Sequence, residues 1–363
     1  MKKLLLLSFT VIASLSFSWA QPTIYTADIN PGAIGGVNVF TGPTALADAI
    51  AAASDDDIIH VVRSSLDYGT TTIDKRLNIL GIGLNPDTDG NERSVVSTVN
   101  IADPLASGTR ISGLHITTIL NLGGTAGVLS NLLIENSKIK EIKHTSNATS
   151  LTNLIIRNNV LDNPGGSSET IHLILNFHSN VIIANNVIYG TPNNGEGRIT
   201  ANNGTSVENN LFISGEELDA AFENFHGNTV KNNIFVGIGV SNITGITNNT
   251  FEYNLSYNCG SRCNFPSTSG NTKTGNLQNV NPLMANVPNN YGIDFSIFDP
   301  TLDTVTPSLA IGAGEGGTDM GVFGGAAPMK LSGTLIPLIQ SLTLPSMILK
   351  GTDLPVQIKA EGN

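Results

Sequence analysis

Between residues 129 and 249 the chain repeats one short pattern of apolar and polar positions. Laid under one another without gaps, LSNLLIENS (129–137), LTNLIIRNN (151–159), HSNVIIANN (178–186), NNGTSVENN (202–210), FHGNTVKNN (225–233) and SNITGITNN (241–249) agree at two columns. Ile134, Ile156, Ile183, Val207, Val230 and Ile246 form the apolar column, and Asn136, Asn158, Asn185, Asn209, Asn232 and Asn248 follow two places later. Successive spacings are 22, 27, 24, 23 and 16, and a weaker copy, ISGLHITTI (111–119), sets Ile116 18 residues before Ile134. Fixed strands at unequal spacing predict a repeat architecture with turns of variable length.

Three residues after each aligned Asn stands a second large apolar residue: Ile139, Leu161, Ile188, Phe212, Phe235 and Phe251. Ile156 and Leu161 are five apart, so an unbroken strand would turn them to opposite faces. A bend at the Asn resolves the conflict, because Asn enters the left-handed region readily and satisfies nearby backbone groups with its side chain. Strand, Asn bend and strand then make a corner with both apolar residues inside. Stacking that corner coil upon coil gives a parallel β-helix. Leucine-rich repeats need a denser leucine pattern, propeller blades need four strands in about 40 residues, and helical solenoids do not accommodate Asn-Asn pairs beside Ile/Val doublets.

Ahead of the repeats, PTALADAIAAAS (43–54) reads as a helix with Thr41 or Thr44 as its cap and Leu46, Ile50 and Ala53 on one face, placed to cover the open first coil. Asp55 to Asp57 lead into IIHVV (58–62), and TTTIDKRLNILG (70–81) supplies the next strand and turn. An amphipathic helix, an acidic turn, an apolar strand, IDKRLNILGIGL (73–84) and then Asn-Asn coils resemble the secreted bacterial right-handed parallel β-helix repeat proteins of the pectate-lyase-like superfamily. SLAIGAGEGGTDMGVFGG (308–325) is similar to the closing coil of many such proteins, so the resemblance spans about residues 35–325. It implies an all-β, right-handed parallel β-helix over 58–327, after an N-terminal cap over 21–57. Beyond it, 328–363 is Leu- and Pro-rich without Asn bends, and reads as a short β tail of two or three strands.

Residues 1–20 have the form of a signal peptide: Lys2 and Lys3, an apolar run from Leu4 to Phe17, and Ser18-Trp19-Ala20 as a cleavage site. No later apolar run reaches the roughly 18 residues of a membrane span, so the chain is expected to be exported, extracellular or periplasmic, and monomeric. Cys259 and Cys263 are the only two cysteines; export favours a short-loop disulfide, a metal or redox pair being the sharper alternative. A net charge of −11 disfavours nucleic acid.

Between the apolar and Asn columns stand Glu135, Arg157, Ala184, Glu208, Lys231 and Thr247. With coils about 4.8 Å apart, Glu135 falls beside Arg157 and Glu208 beside Lys231. Two readings fit: a surface ion-pair ladder of small energetic weight, or a polar strip that contacts a glycan. The lyases of the superfamily use calcium held by stacked acids beside a basic residue; no such column recurs, so those roles transfer to no position. A hydrolase would need paired carboxylates on neighbouring coils; Asp162, Glu169, Glu216, Glu217, Asp219 and Glu223 are the central acids, at unequal offsets in turns. His172 and His178, six apart on an alternating segment, are expected to share a face. The Gly312–Gly317 run lacks the strand-turn-helix of a phosphate cradle, its glycines needing only backbone freedom, and Asp319 is a turn cap. The expected function is non-catalytic binding of carbohydrate or of cell-surface and extracellular components, without metal or cofactor. The alternative is a polysaccharide lyase, with calcium, or a glycoside hydrolase acting on an acidic glycan, with Arg157, Asp162, His172, His178, Glu208 and Lys231 as candidate residues.

Overall fold

The computed structural model describes residues 21–84, 93–144, 146–163, 170–173, 177–190, 197–214, 220–240, 245–287, 298–330, 338–343 and 357–361. The 1–20 segment and Glu169, Glu216, Glu217 and Asp219 lie outside them. The chain is an all-β parallel β-solenoid of about eight turns, with one α-helix among the described residues. Two long parallel sheets run its length: the first contains Leu133–Glu135, Thr149–Arg157, His178–Ala184, Thr205–Glu208, Thr229–Lys231 and Thr250–Glu252, and the second carries the strands after each corner.

In-register pairing aligns Ile134, Ile156, Ile183, Val207, Val230 and Phe251 in one column and Ile116, Ile139, Leu161, Ile188, Phe212 and Phe235 in the next. All of them are fully buried. The bend between the columns is left-handed as the Asn column predicts, with φ of 50–58° at Asn136, Asn158, Asn185, Asn209 and Asn232.

Two copies of the alignment take other places. Ile246 pairs with Phe225 in the second sheet, and Asn248, also left-handed, belongs to a different corner whose register neighbours are Gly227 and Gly270. The sixth first-sheet rung is Phe251, 21 residues after Val230, and Tyr253 takes its left-handed bend with φ 52°. Likewise Ile111, not Ile116, pairs with Ile134. Both corners use apolar-x-Asn-Asn, so the local pattern cannot tell them apart; only inter-coil pairing can.

The hydrogen-bonded amide ladder is built by the second Asn of each pair. Asn159, Asn186, Asn210, Asn233 and Asn254 each donate from Nδ2 to Oδ1 of the next Asn at 2.9–3.1 Å, ending on Asn276. Each Nδ2 also donates to a carbonyl of the preceding coil, from Ile134, Ile156, Ile183, Val207 and Val230 respectively, at 2.8–2.9 Å. Each Oδ1 from Asn186 onward accepts the backbone N–H of the Asn one coil earlier. A shorter ladder through Asn228, Asn249 and Asn271 repeats this at the other corner. Inside a low-dielectric core such a fully satisfied network specifies register as well as adding stability.

The helix spans Ala45–Ala52 and buries Ala45, Leu46, Ala49 and Ile50; Thr44 caps it without a side-chain bond to the backbone, its hydroxyl donating to Asp48 instead. At the far end the inward column passes from Phe251 to Lys273, an exposed charge at an interior position. An inward-pointing charge on a terminal strand discourages further strand addition. Phe265 packs on Phe251 and Phe235 beside the Cys259–Cys263 disulfide, and both cysteines are buried. The tail contains two antiparallel strands, Leu338–Thr343 and Gln357–Glu361.

The segment resembling a closing coil does not form one. Residues 308–325 contain no strand, and Met320, Val322 and Met329 lie against the outward apolar row Val160, Val187, Leu211 and Ile234 of the second sheet. Those outward apolar positions give the chain a flank to cover, which is why it folds back instead of coiling on.

Asn210→Ala removes one ladder amide and strands the Asn186 backbone N–H and one of the two Asn186 Nδ2 protons, so unfolding in denaturant should show a loss of about 2–3 kcal/mol. Asn153→Gly, at an exposed bend with φ 54°, should stay within about 0.5 kcal/mol. Burial, with the Lys138 and Arg93 cations nearby, pushes the His115 pKa down to about 4. The unfolded chain therefore binds more protons between about pH 6.5 and 4, and stability falls as pH drops through that window. His115→Gln should flatten that part of the stability–pH curve.

Candidate functional site

Strands alternate sides, so the residues flanking the buried columns point outward. On the first sheet one outward row reads Glu135, Arg157, Ala184, Glu208 and Lys231, and a second, two residues earlier, reads Leu133, Ile155, Ile182, Ser206 and Thr229. Leu133, Ile155 and Ile182 are half-buried, making an apolar outer strip. A cleft of about 360 Å³ lies over this surface, floored by Ile155, Ile182 and Ala184, edged by Arg157, Glu208 and Lys231, and closed by Glu315, Thr318 and residues 325–327.

The wall is held by the bend asparagines. Glu315 N donates to Asn232 Oδ1 at 2.8 Å, and Gly321 N to Asn232 O at 2.8 Å. Asn209 Nδ2 donates to Asp319 O at 3.2 Å, and Asn185 Nδ2 to Val322 O and Gly324 O at 3.0 and 2.8 Å. From Glu315 to Gly324 the contacts pass, with overlap at Asp319 and Gly321, from the coil of Asn232 to that of Asn185, so the strap runs back against the direction of winding. Two of its glycines answer to close approach rather than backbone freedom alone. A Cβ at Gly314 would stand 3.0 Å from Asn232 Oδ1, and one at Gly324 only 2.6 Å from Asn209 Nδ2. Asp319 caps the strap's turn by accepting from Gly312 N at 2.8 Å.

Two charged trios mark the ends of the cleft. Glu135, almost fully buried, lies between Arg110 and Arg157, whose Nε atoms donate to its two oxygens at 2.7 and 2.8 Å. Lys231 Nζ lies 2.9 Å from Glu315 and 3.6 Å from Glu208. The hydrogen bond to Glu315, with Glu208 close by, holds the Lys231 ammonium above its usual range. A lysine so held is protonated at neutral pH and donates hydrogen bonds rather than abstracting a proton.

Of the six candidate residues, the cleft gathers Arg157, Glu208 and Lys231. Asp162 lies on the second sheet, 3.1 Å from Lys138. His172 and His178 do not share a face: His172 pairs with Lys143 and Thr200 in the second sheet. His178 begins a first-sheet strand, buried, its Nε2 accepting from Asn202 N at 3.1 Å. A sheet change separates them, which an assumption of one continuous strand misses. Glu223 is on the second sheet beside Thr200. Among the described residues no cluster of three or more His, Cys, Asp or Glu is placed to hold a metal ion, and no helix is long and apolar enough to cross a membrane.

Ile155, Ile182 and the whole wall were not identified from sequence. The floor had a signal: Leu132-Leu133-Ile134, Leu154-Ile155-Ile156 and Val181-Ile182-Ile183 break strict alternation, leaving an apolar residue outside in each strand. The wall had none, since no local pattern places Glu315 beside Lys231. No family model matches the chain, and no curated protein matches it.

Arg157→Ala leaves Glu135 paired with Arg110 and should cost under about 1 kcal/mol. Arg110→Ala with Arg157→Ala leaves a buried carboxylate uncompensated, and a double-mutant cycle by denaturant unfolding should give a total loss of about 3–5 kcal/mol, well beyond the sum of the singles.

Proposed function

We propose that the protein is an exported, right-handed β-helix of the pectate-lyase-like kind that binds an extended carbohydrate of the cell surface or surroundings in this cleft without cleaving it. The observation that carries the reading is the pairing of an apolar floor with charged rims whose cations are already engaged by carboxylates. Ile155, Ile182 and Ala184 match the C–H faces of sugar rings, and the rims supply hydrogen-bond donors and acceptors at their edges. Side chains set on a hydrogen-bonded parallel sheet are preorganised, which lowers the ordering cost of binding.

One observation favours a second reading, a glycoside hydrolase. The Glu208 and Glu315 oxygens both approach Lys231 Nζ, at 3.6 and 2.9 Å, so the two carboxylates lie no more than about 6.5 Å apart. Paired carboxylates at about that range serve hydrolysis. Lys231 Nζ, however, lies within 3.6 Å of both carboxylates, in the space where a hydrolase would hold the scissile bond and its water. Binding is therefore preferred.

Titration calorimetry against acidic and neutral polysaccharides, with calcium and with chelator, should detect binding. Ile182→Lys, at an outward position, should weaken it at least about tenfold without changing the fold. Unsaturated or shortened products would overturn the non-catalytic reading, and no binding across the panel would overturn the carbohydrate reading.

A further inference from the structure

The two rim trios carry opposite excess charge. Arg110 and Arg157 share the single carboxylate of Glu135 and leave one positive charge over; Glu208 and Glu315 share the single ammonium of Lys231 and leave one negative. Arg157, Ala184 and Glu208 pair in register on successive coils, so an uncharged Ala184 lies between the two ends. Two coil steps separate them by about 9–10 Å. That is comparable with the screening length of about 8 Å at physiological salt, so each end acts on what touches it. The cleft is dipolar along the solenoid axis.

Resting on the carbohydrate reading above, we infer that this cleft takes a zwitterionic glycan segment, with an anionic substituent against Arg157 and an ammonium against Glu208 and Glu315. Arg157 uses Nε and Nη2 on one oxygen of Glu135, Oε2, and its side chain stays about one-third exposed, at 36 %. Glu315, on the strap, has a half-exposed side chain. A polyanion would gain at the Arg157 end but bring like charge against the carboxylates; a polycation meets the reverse penalty. A neutral chain would cover both excess charges without pairing either. Opposite charges on neighbouring sugar rings satisfy both ends at once, and the polarity also sets the direction in which the chain lies.

Three oligosaccharide probes of matched length test this: N-deacetylated heparosan, in which uronates alternate with free amino sugars; intact N-acetylated heparosan, which is anionic only; and chitosan, which is cationic only. The zwitterionic probe should bind at least about tenfold more tightly than either, and rising salt should shrink the preference. Arg157→Gln, which leaves Glu135 held by Arg110, should lower zwitterion affinity and improve chitosan binding. Glu315→Gln should lower zwitterion affinity and improve binding of intact heparosan. Each variant is checked by circular dichroism, and the salt dependence of the unaltered protein stands as a test without any substitution. Equal binding of the three probes, indifferent to salt and to both variants, would overturn the polarity inference while leaving carbohydrate binding in place. Failure to bind any of the three probes and any polysaccharide of the panel would remove both.

Discussion

Register between coils is the constraint from which the rest of this molecule follows. Parallel strands could slide past one another, and a slip of one residue would exchange every inside residue for an outside one. The buried amides of Asn159, Asn186, Asn210, Asn233 and Asn254 prevent it, because each is bonded both to a carbonyl of the coil before and to the amide of the coil after. A shift in any coil would leave polar groups unpaired in the core, at about 1–3 kcal/mol each.

Locked register is also what gives the outer surface its chemistry. Glu135 reaches Arg157 and Glu208 reaches Lys231 because their strands pair residue for residue. The same rows bring Ile155 beside Ile182 and so create the apolar floor. The bend asparagines at 185, 209 and 232 then serve twice, turning the backbone inside and presenting amide and carbonyl groups outside to the returning strap. Rim, floor and wall of the cleft are thus products of one corner motif, and the charge polarity along the axis comes from which residues occupy one row.

Much of this was legible in the chain. Hydrophobic alternation interrupted by Asn identified the corner, the left-handed bend, the two inward columns and the two ion pairs, since each depends on neighbours within a few residues or on simple stacking of like segments. Misplacement came where two corners share one local signal: Val230-Lys231-Asn232-Asn233 and Ile246-Thr247-Asn248-Asn249 read alike but turn the chain at different places. The histidine pair failed for a related reason, a change of sheet between His172 and His178.

By itself, then, the sequence determined a stacked parallel β architecture and which residues face inward, because side-chain alternation and Asn backbone preference are local properties. Tertiary structure alone decided that the second Asn of each pair forms the ladder, that the glycine-rich 312–325 stretch returns along the flank instead of closing a coil, and that Glu315 meets Lys231 from 84 positions away. Those outcomes depend on which coils lie beside each other, and contact between distant segments is set by the summed burial and pairing of the whole chain, which no short window contains.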